Sequence, residues 1–278
     1  MTTSDILVST EWLHQNLLRP ELRIVEVSVN SSVYDDGHIP GALAWNWATQ
    51  LCDGHIRDIL GKPQLEALLS GSGISAGTTV VLYGDNHNWF AAWALWQLKM
   101  YGHRDVRIMD GGKMKWIDEE RPLSGERPEP QSTTYHAAEP DLTMRAFRSE
   151  LERSYQSPDL ALVDVRTPQE YSGELLSPSG LTECCQRGGH IPGAVNVPWA
   201  TVFDDDGRLR DVEQLRQMFV ERGVRPDKRV ITYCRIGERS AHTWCVLKYV
   251  LGYPDVANYD GSWVEWGNLI RSPIATGS

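Results

Sequence analysis

Several things are missing from this chain, and each absence narrows what it can be. It has no run of roughly 18 uncharged apolar residues of the kind that crosses a bilayer. Its 278 residues, 41% apolar and 23% charged, have the balance of a soluble globular protein. The opening segment MTTSDILVST lacks a basic start, an apolar run and a small-residue cleavage site, so the usual secretion signal is not expected and the cytoplasm is the expected compartment. No cluster of Lys and Arg is long enough to track a phosphate backbone, and the formal net charge is −10, which excludes nucleic acid as the expected partner. The five cysteines, Cys52, Cys184, Cys185, Cys234 and Cys245, are odd in number and lack paired metal-ligand spacing. That pattern excludes a disulfide framework and zinc, and it fits a reducing compartment. No metal and no cofactor is expected.

What is present is a repeat. GHIPGALAWNW at Gly37 to Trp47 recurs 152 residues on as GHIPGAVNVPW at Gly189 to Trp199. GISAGTTVVLYG from Gly73 matches GVRPDKRVITYC ending at Cys234, and MDGGKMKW from Met109 matches YDGSWVEW from Tyr259, each shifted by 150. Copies of this length are too long for solenoid units, so each should be a domain with its own core. Between them, SGERPEPQSTTYHAAEP carries Pro128, Pro130 and Pro140, which discourage regular structure. The expected division is a first domain over 1–123, a linker over 124–141 and a second domain over 142–278.

In the second copy ALVDVR (Ala161 to Arg166), RVITYC (Arg229 to Cys234) and VANYD (Val256 to Asp260) read as strands. Such near-continuous apolar runs suit strands covered on both faces, hence an α/β fold with a mostly parallel sheet flanked by helices. Helices are expected over Val212 to Arg222 and Ser240 to Leu251, closed by Gly223 and Gly252. Trp244, Leu247, Val250 and Leu251 give the latter an apolar stripe.

Cys234 therefore sits between a strand end and a helix start, where open α/β sheets put their ligand sites. The segment Cys234, Arg235, Ile236, Gly237, Glu238, Arg239, Ser240 is a loop that can aim backbone N–H groups at the sulfur. Those dipoles, with the guanidinium groups of Arg235 and Arg239, favour a thiolate, so Cys234 is expected to be a nucleophile near neutral pH. A structural buried cysteine is the bland alternative, and two arginines within five residues argue against it.

Taken together, CRIGERS after VITY, GHIPGA in both halves, LVDVRTPQEY (Leu162 to Tyr171) and YDGSWVEW resemble the tandem-domain rhodaneses, the thiosulfate sulfurtransferases. The resemblance spans nearly the whole chain. It implies two similar rhodanese-like domains, the first catalytically silent, and a double-displacement cycle. The Cys234 thiolate would take the outer sulfur of thiosulfate, release sulfite and hold a persulfide until cyanide or a thiol removes the sulfur. The loop residues Arg235, Ile236, Gly237, Glu238, Arg239 and Ser240 would bind substrate. Two fused pseudo-equivalent domains make a monomer the expected state.

Related activities remain as alternatives. Phosphatases on the same domain resemble Cys, five residues, Arg, whereas Arg239 follows Cys234 after four. The 3-mercaptopyruvate sulfurtransferases resemble Cys-Gly-Ser-Gly at the loop, whereas Arg235 follows the cysteine here, and a cation beside the nucleophile suits the thiosulfate dianion. A sulfur-carrier or binding module of weak activity is the third alternative. Glu238 sits awkwardly in a loop meant for anions; it is expected on the rim, paired with Arg235 or Arg239.

Beyond the loop, Arg166 is a substrate-binding candidate with Asp164 as its orienter, or the two form a structural pair. His38 and His190, one per GHIPGA segment, are expected to serve the fold, and His242 to be a packing residue. Gly84, followed by Asp85, Asn86, His87, Asn88 and Trp89, matches Cys234 in the first copy, so that half lacks the thiol. Cys184 and Cys185 lie in a stretch the first copy does not have; an exposed loop without a role is the expectation for both.

Overall fold

The computed structural model describes residues 6–178 and 185–277. The chain divides into two compact units, Met1–Asp141 with Asp205–Leu209, and Leu142–Asp204 with Arg210–Ser278. The first holds strands β1 (Leu7–Val8), β2 (Leu22–Ser28), β3 (Ala42–Asn46), β4 (Thr79–Tyr83) and β5 (Val106–Met109), in the order β1-β5-β4-β2-β3. The second holds β6 (Leu160–Asp164), β7 (Val195–Asn196), β8 (Arg229–Tyr233) and β9 (Val256–Asn258), in the order β7-β6-β8-β9. All pairings in both sheets are parallel, and the central strands are buried, in agreement with their continuous apolar sequences.

The order of the second sheet locates its ligand site. From β6 the chain goes outward to β7, then returns to the other side of β6 as β8, so the direction of winding reverses between β6 and β8. Their carboxyl ends diverge at that point and leave a crevice. Asp164 and Tyr233 are in register there, one residue before Cys234. The first sheet reverses in the same way between β2 and β4, where Glu26 pairs with Tyr83.

Helix Val212–Glu221 starts where Asp211 accepts the N–H of Glu213 at 2.9 Å and buries Leu215 and Phe219. The helix expected from Ser240 begins two residues earlier. It spans Glu238–Cys245 and runs on as a π-helical turn, Val246–Val250. The early start follows from Gly237, whose φ of +102° turns the chain into the helix at once. All of Glu238–Cys245 is buried, so the expected single apolar stripe is replaced by a helix covered all round.

The repeated GHIPGA segments make the same contacts twice. His38 stacks on Tyr34 and His190 on Tyr171, at centroid separations of 3.7 and 3.6 Å. Their Nδ1 atoms meet the carbonyls of those same tyrosines at 3.0 and 2.9 Å, which supports a fold role for both histidines. Ile39 N–H donates to the Tyr83 hydroxyl at 3.0 Å and Ile191 N–H to that of Tyr233 at 3.1 Å, joining the motif to β4 and β8. Residues 125–140 carry no helix or strand. They are tied to the first unit by Thr133 N–H to the Ser70 carbonyl and by Ala138 N–H to that of Tyr101. Cys184 lies outside the described residues. Cys185 is buried, not exposed as expected, with its sulfur 3.5 Å from the Leu176 carbonyl. No helix among the described residues is long and apolar enough to cross a membrane.

Gly189 joins the motif to the end of the second unit. Its φ is +116°, and a Cβ there would lie 2.3 Å from the Ala275 carbonyl oxygen, inside the bridge between His190 and Ala275. Gly189→Ala should therefore destabilise the protein by about 2 kcal/mol, read from the urea midpoint. A loss below about 0.5 kcal/mol would show that the bridge tolerates a side chain.

Candidate active site

The carboxyl end of β8 delivers Cys234, and three backbone contacts fix its position. Its N–H donates to the Ser262 hydroxyl at 3.1 Å, and its carbonyl accepts Trp263 N–H at 3.1 Å. The next carbonyl, of Arg235, accepts Val264 N–H at 2.9 Å. Ser262 itself is left-handed at φ +52°, and its hydroxyl donates to the Tyr259 carbonyl at 2.8 Å. The repeated DG turn after the last strand thus clamps the start of the loop.

From that clamp the loop bends back over the sulfur. Gly237 N–H donates to Cys234 Sγ at 3.1 Å, and the Ser240 N–H also favours charge there. The Gly237 carbonyl accepts Asn258 Nδ2 at 3.1 Å, and Asn258 Oδ1 accepts the Ser240 hydroxyl at 2.7 Å. Asn258 ends β9, so the ends of both β8 and β9 hold the loop in shape.

Two loop side chains differ from their expected places. Glu238 is not on the rim. It is 2% exposed, its Oε2 lies 3.3 Å from Cys234 Sγ, and its Oε1 is 3.7 Å from Arg239 Nε. Placed first in the helix, directly after the turn at Gly237, it points inward with the sulfur. Arg239 does pair, but chiefly with another residue: its two terminal nitrogens lie 3.0 and 3.1 Å from the carboxylate of Glu170, a planar two-point pair with both partners buried. Burial alone would raise the Glu170 carboxyl, yet Arg239 holds it below the usual range. Glu170 also closes a capping box with Thr167 at the start of helix Pro168–Ser172.

The surroundings of Cys234 act on its protonation in both directions. The residue is 0% exposed, and burial pushes its thiol up from the ordinary value. The Glu238 carboxylate pushes in the same direction, while Arg239 and the two N–H groups pull the other way without prevailing. Loss of water around the sulfur is the largest of these influences, and it opposes the expected thiolate.

Arg166 is engaged by other partners. Its guanidinium is held by Asp164, at 3.0 Å from Nε and 2.6 Å from a terminal nitrogen, and donates to the Gly189 carbonyl at 2.6 Å. It also stacks 4.5 Å over Trp263. This is the structural pair, tying β6 to the GHIPGA segment. Arg235 and Ile236 are buried in the loop. His242 packs 5.0 Å from Phe203. Among the described residues no group of three or more His, Cys, Asp or Glu is placed to hold a metal ion.

Comparison with known protein families matches the rhodanese-like domain twice, at residues 9–119 and 147–269. The chain belongs to the rhodanese family. It is 49% identical over 279 residues to a Mycolicibacterium smegmatis protein named "Putative thiosulfate sulfurtransferase", covering 100% of both chains. It is 47% identical to the sulfur carrier protein TtuD of Thermus thermophilus, over 98% of this chain and 97% of that one. Among solved structures, a persulfide form of an EanB variant with ergothioneine matches at a TM-score of 0.85 and 27% identity, over 100% of this chain and 72% of that one.

In the first rhodanese domain the corresponding loop has a different interior. Asn86, His87 and Asn88 are all left-handed, at φ +48°, +53° and +65°. The Asn88 side chain accepts Gly84 N–H at 3.0 Å and donates to the Met109 carbonyl at 2.8 Å. The amide there makes the two backbone contacts that the Ser262 hydroxyl makes in the second domain.

Sequence reasoning missed Glu170, Asn258 and Ser262. Glu170 left a signal, the capping-box pattern Thr-Pro-Gln-Glu, and Ser262 lay within a repeated segment; the role of Asn258 depends on contacts 18 and 21 residues away. Glu170→Gln keeps the cap, since Gln also serves there, but breaks the buried pair with Arg239. It should cost about 3 kcal/mol in chemical denaturation. A loss under about 1 kcal/mol would mean that the pair does not hold the loop.

Proposed function

We propose that Cys234 is the nucleophile of a thiosulfate sulfurtransferase. Its sulfur attacks the outer sulfur of thiosulfate, sulfite leaves, and the Cys234 persulfide passes that sulfur to cyanide or a thiol. The observation that carries this reading is the Gly237 N–H aimed at Sγ from 3.1 Å, with the Ser240 N–H behind it, at the crevice between β6 and β8. Preformed donors of this kind stabilise negative charge as it develops on sulfur, without reorganising during the reaction. A persulfide splits one difficult transfer into two displacements.

Membership of the rhodanese family makes sulfur transfer the reaction class. The choice of thiosulfate rests on two supports. Relatives matching the full chain carry that name. The residue after the nucleophile is Arg235, a cation suited to a dianion. A persulfide on cysteine in the related EanB structure supports the intermediate. The sulfur-carrier name of the Thermus relative favours a second reading on the acceptor side, in which a protein or small thiol, and not cyanide, takes the sulfur in the cell. A reducing, cytoplasmic setting belongs to the same proposal.

Mixing the protein with thiosulfate and cyanide should yield thiocyanate, and Cys234→Ser should abolish it. After thiosulfate alone, intact mass should rise by about 32 Da, one sulfur atom retained covalently. Turnover that survives the serine substitution contradicts the proposal. A kcat/KM for 3-mercaptopyruvate above that for thiosulfate transfers the assignment to the sister activity.

A further inference from the structure

Because the two units repeat, a surface that the first covers with its own chain has a counterpart in the second. Beside edge strand β3 the first unit has a groove of about 440 Å³, lined by Tyr34, Leu43, Ala44 and Ser72 among others. Beside edge strand β7 the second has one of about 650 Å³, where Tyr171, Val195, Asn196 and Arg222 take the repeated positions. The frames agree in detail. The Tyr34 hydroxyl donates to the Ala42 carbonyl at 2.6 Å, and that of Tyr171 to the Ala194 carbonyl at 2.7 Å.

The first groove is also lined by Arg127, Pro128 and Pro130, from the segment that follows the first sheet's last helix. The Arg127 guanidinium lies 5.5 Å over the Tyr34 ring and pairs with Asp35, while Pro130 packs at Gly73, where a Cβ would be 3.0 Å from it. Thr133 N–H then donates to the Ser70 carbonyl at 3.0 Å. The segment thus runs along the groove from the tyrosine to the turn at Gly73. In the second unit His190 bridges to Ala275 as His38 does to Ser124, which puts Gly277 in the place of Glu126. No counterpart of Arg127, Pro128 or Pro130 is among the described residues that line the second groove. The aromatic rings register the difference: Tyr34 is 2% exposed, whereas Tyr171 is only partly buried.

The charges on the open groove say what fits it. Glu174, three residues beyond Tyr171, is exposed and can serve as Asp35 does, as the counter-charge for a cation over the tyrosine ring. Arg222 is exposed just before the turn at Gly223, where Ser72 precedes Gly73, and it suits an acid placed between two prolines, as Glu129 is. Proline-bearing segments are extended before they bind and dock on aromatic-lined grooves at little entropic cost. We propose that the groove beside β7 docks an extended segment of a partner protein with the order arginine, proline, acid, proline, the chemistry that residues 127–130 bring to the first groove. The proposal is independent of the sulfur chemistry and survives its failure.

The test is the fluorescence anisotropy of a labelled peptide of residues 127–135, RPEPQSTTY, titrated with the full chain. Saturable binding is expected, weakened about tenfold by Glu174→Lys and by Arg222→Glu, since each replaces an attraction with a repulsion. The Arg127→Glu peptide should bind the Glu174→Lys protein better than it binds wild type. Both substituted positions on the protein are exposed, so neither change threatens the fold. Absence of saturation at about 1 mM protein overturns the proposal. Binding that neither substitution alters also overturns it, because the peptide then sits elsewhere. Sedimentation of the chain alone decides against a further occupant: a dimer that Glu174→Lys dissociates would assign the groove to a second copy and overturn the proposal as well.

Discussion

The active loop depends on one turn. Between the end of β8 and the first helical residue the chain has only Cys234 to Gly237 in which to reverse over a sulfur atom, and Gly237 makes this possible by adopting φ +102°. That turn aims the Gly237 N–H at Sγ, and it also sets the direction in which the helix leaves. The next side chain, Glu238, then has no route to solvent. The buried Arg239–Glu170 pair, the Asn258 contacts and the Ser262 clamp all hold the turn in that shape. A rigid frame of this kind spares the reaction the cost of reorganising its surroundings.

The duplication separates frame from chemistry. Tyrosines at the ends of β4 and β8 bind the two GHIPGA segments in the same way, and Trp116 and Trp266 each donate to a proline carbonyl, of Pro122 and Pro273, at 2.8 Å. Under this shared skeleton the buried ion pairs have diverged. Glu26 meets Lys113 and the Tyr83 hydroxyl in the first unit, where Asp164 meets Arg166 in the second. The loop has diverged furthest, from an amide closing on backbone to a sulfur with a carboxylate beside it.

The parts of this arrangement legible in sequence were those set by local pattern or by repetition. Apolar runs marked β6, β8 and β9, Gly223 and Gly252 marked helix ends, and the place of Cys234 between strand and helix marked the site. The rest depended on which way side chains point and on partners far along the chain. Gly237 could be read as a turn residue, but not that its turn would send Glu238 inward. Arg239 could be read as a cation near sulfur, but its partner Glu170 is 69 residues away on another helix. The pull on the Cys234 proton depends on these unseen facts: burial first, and then the inward Glu238 carboxylate, push the thiol up against Arg239 and the N–H groups.

The account thus turns on a buried nucleophile whose ionisation is opposed first by its loss of water and then by the carboxylate its loop holds beside it. The most direct test is the ultraviolet thiolate absorbance of wild type minus Cys234→Ser, followed across pH without substrate. The difference signal should be absent at neutral pH and should emerge only above the ordinary cysteine value of 9.0. A thiolate signal already full at pH 7 would contradict it.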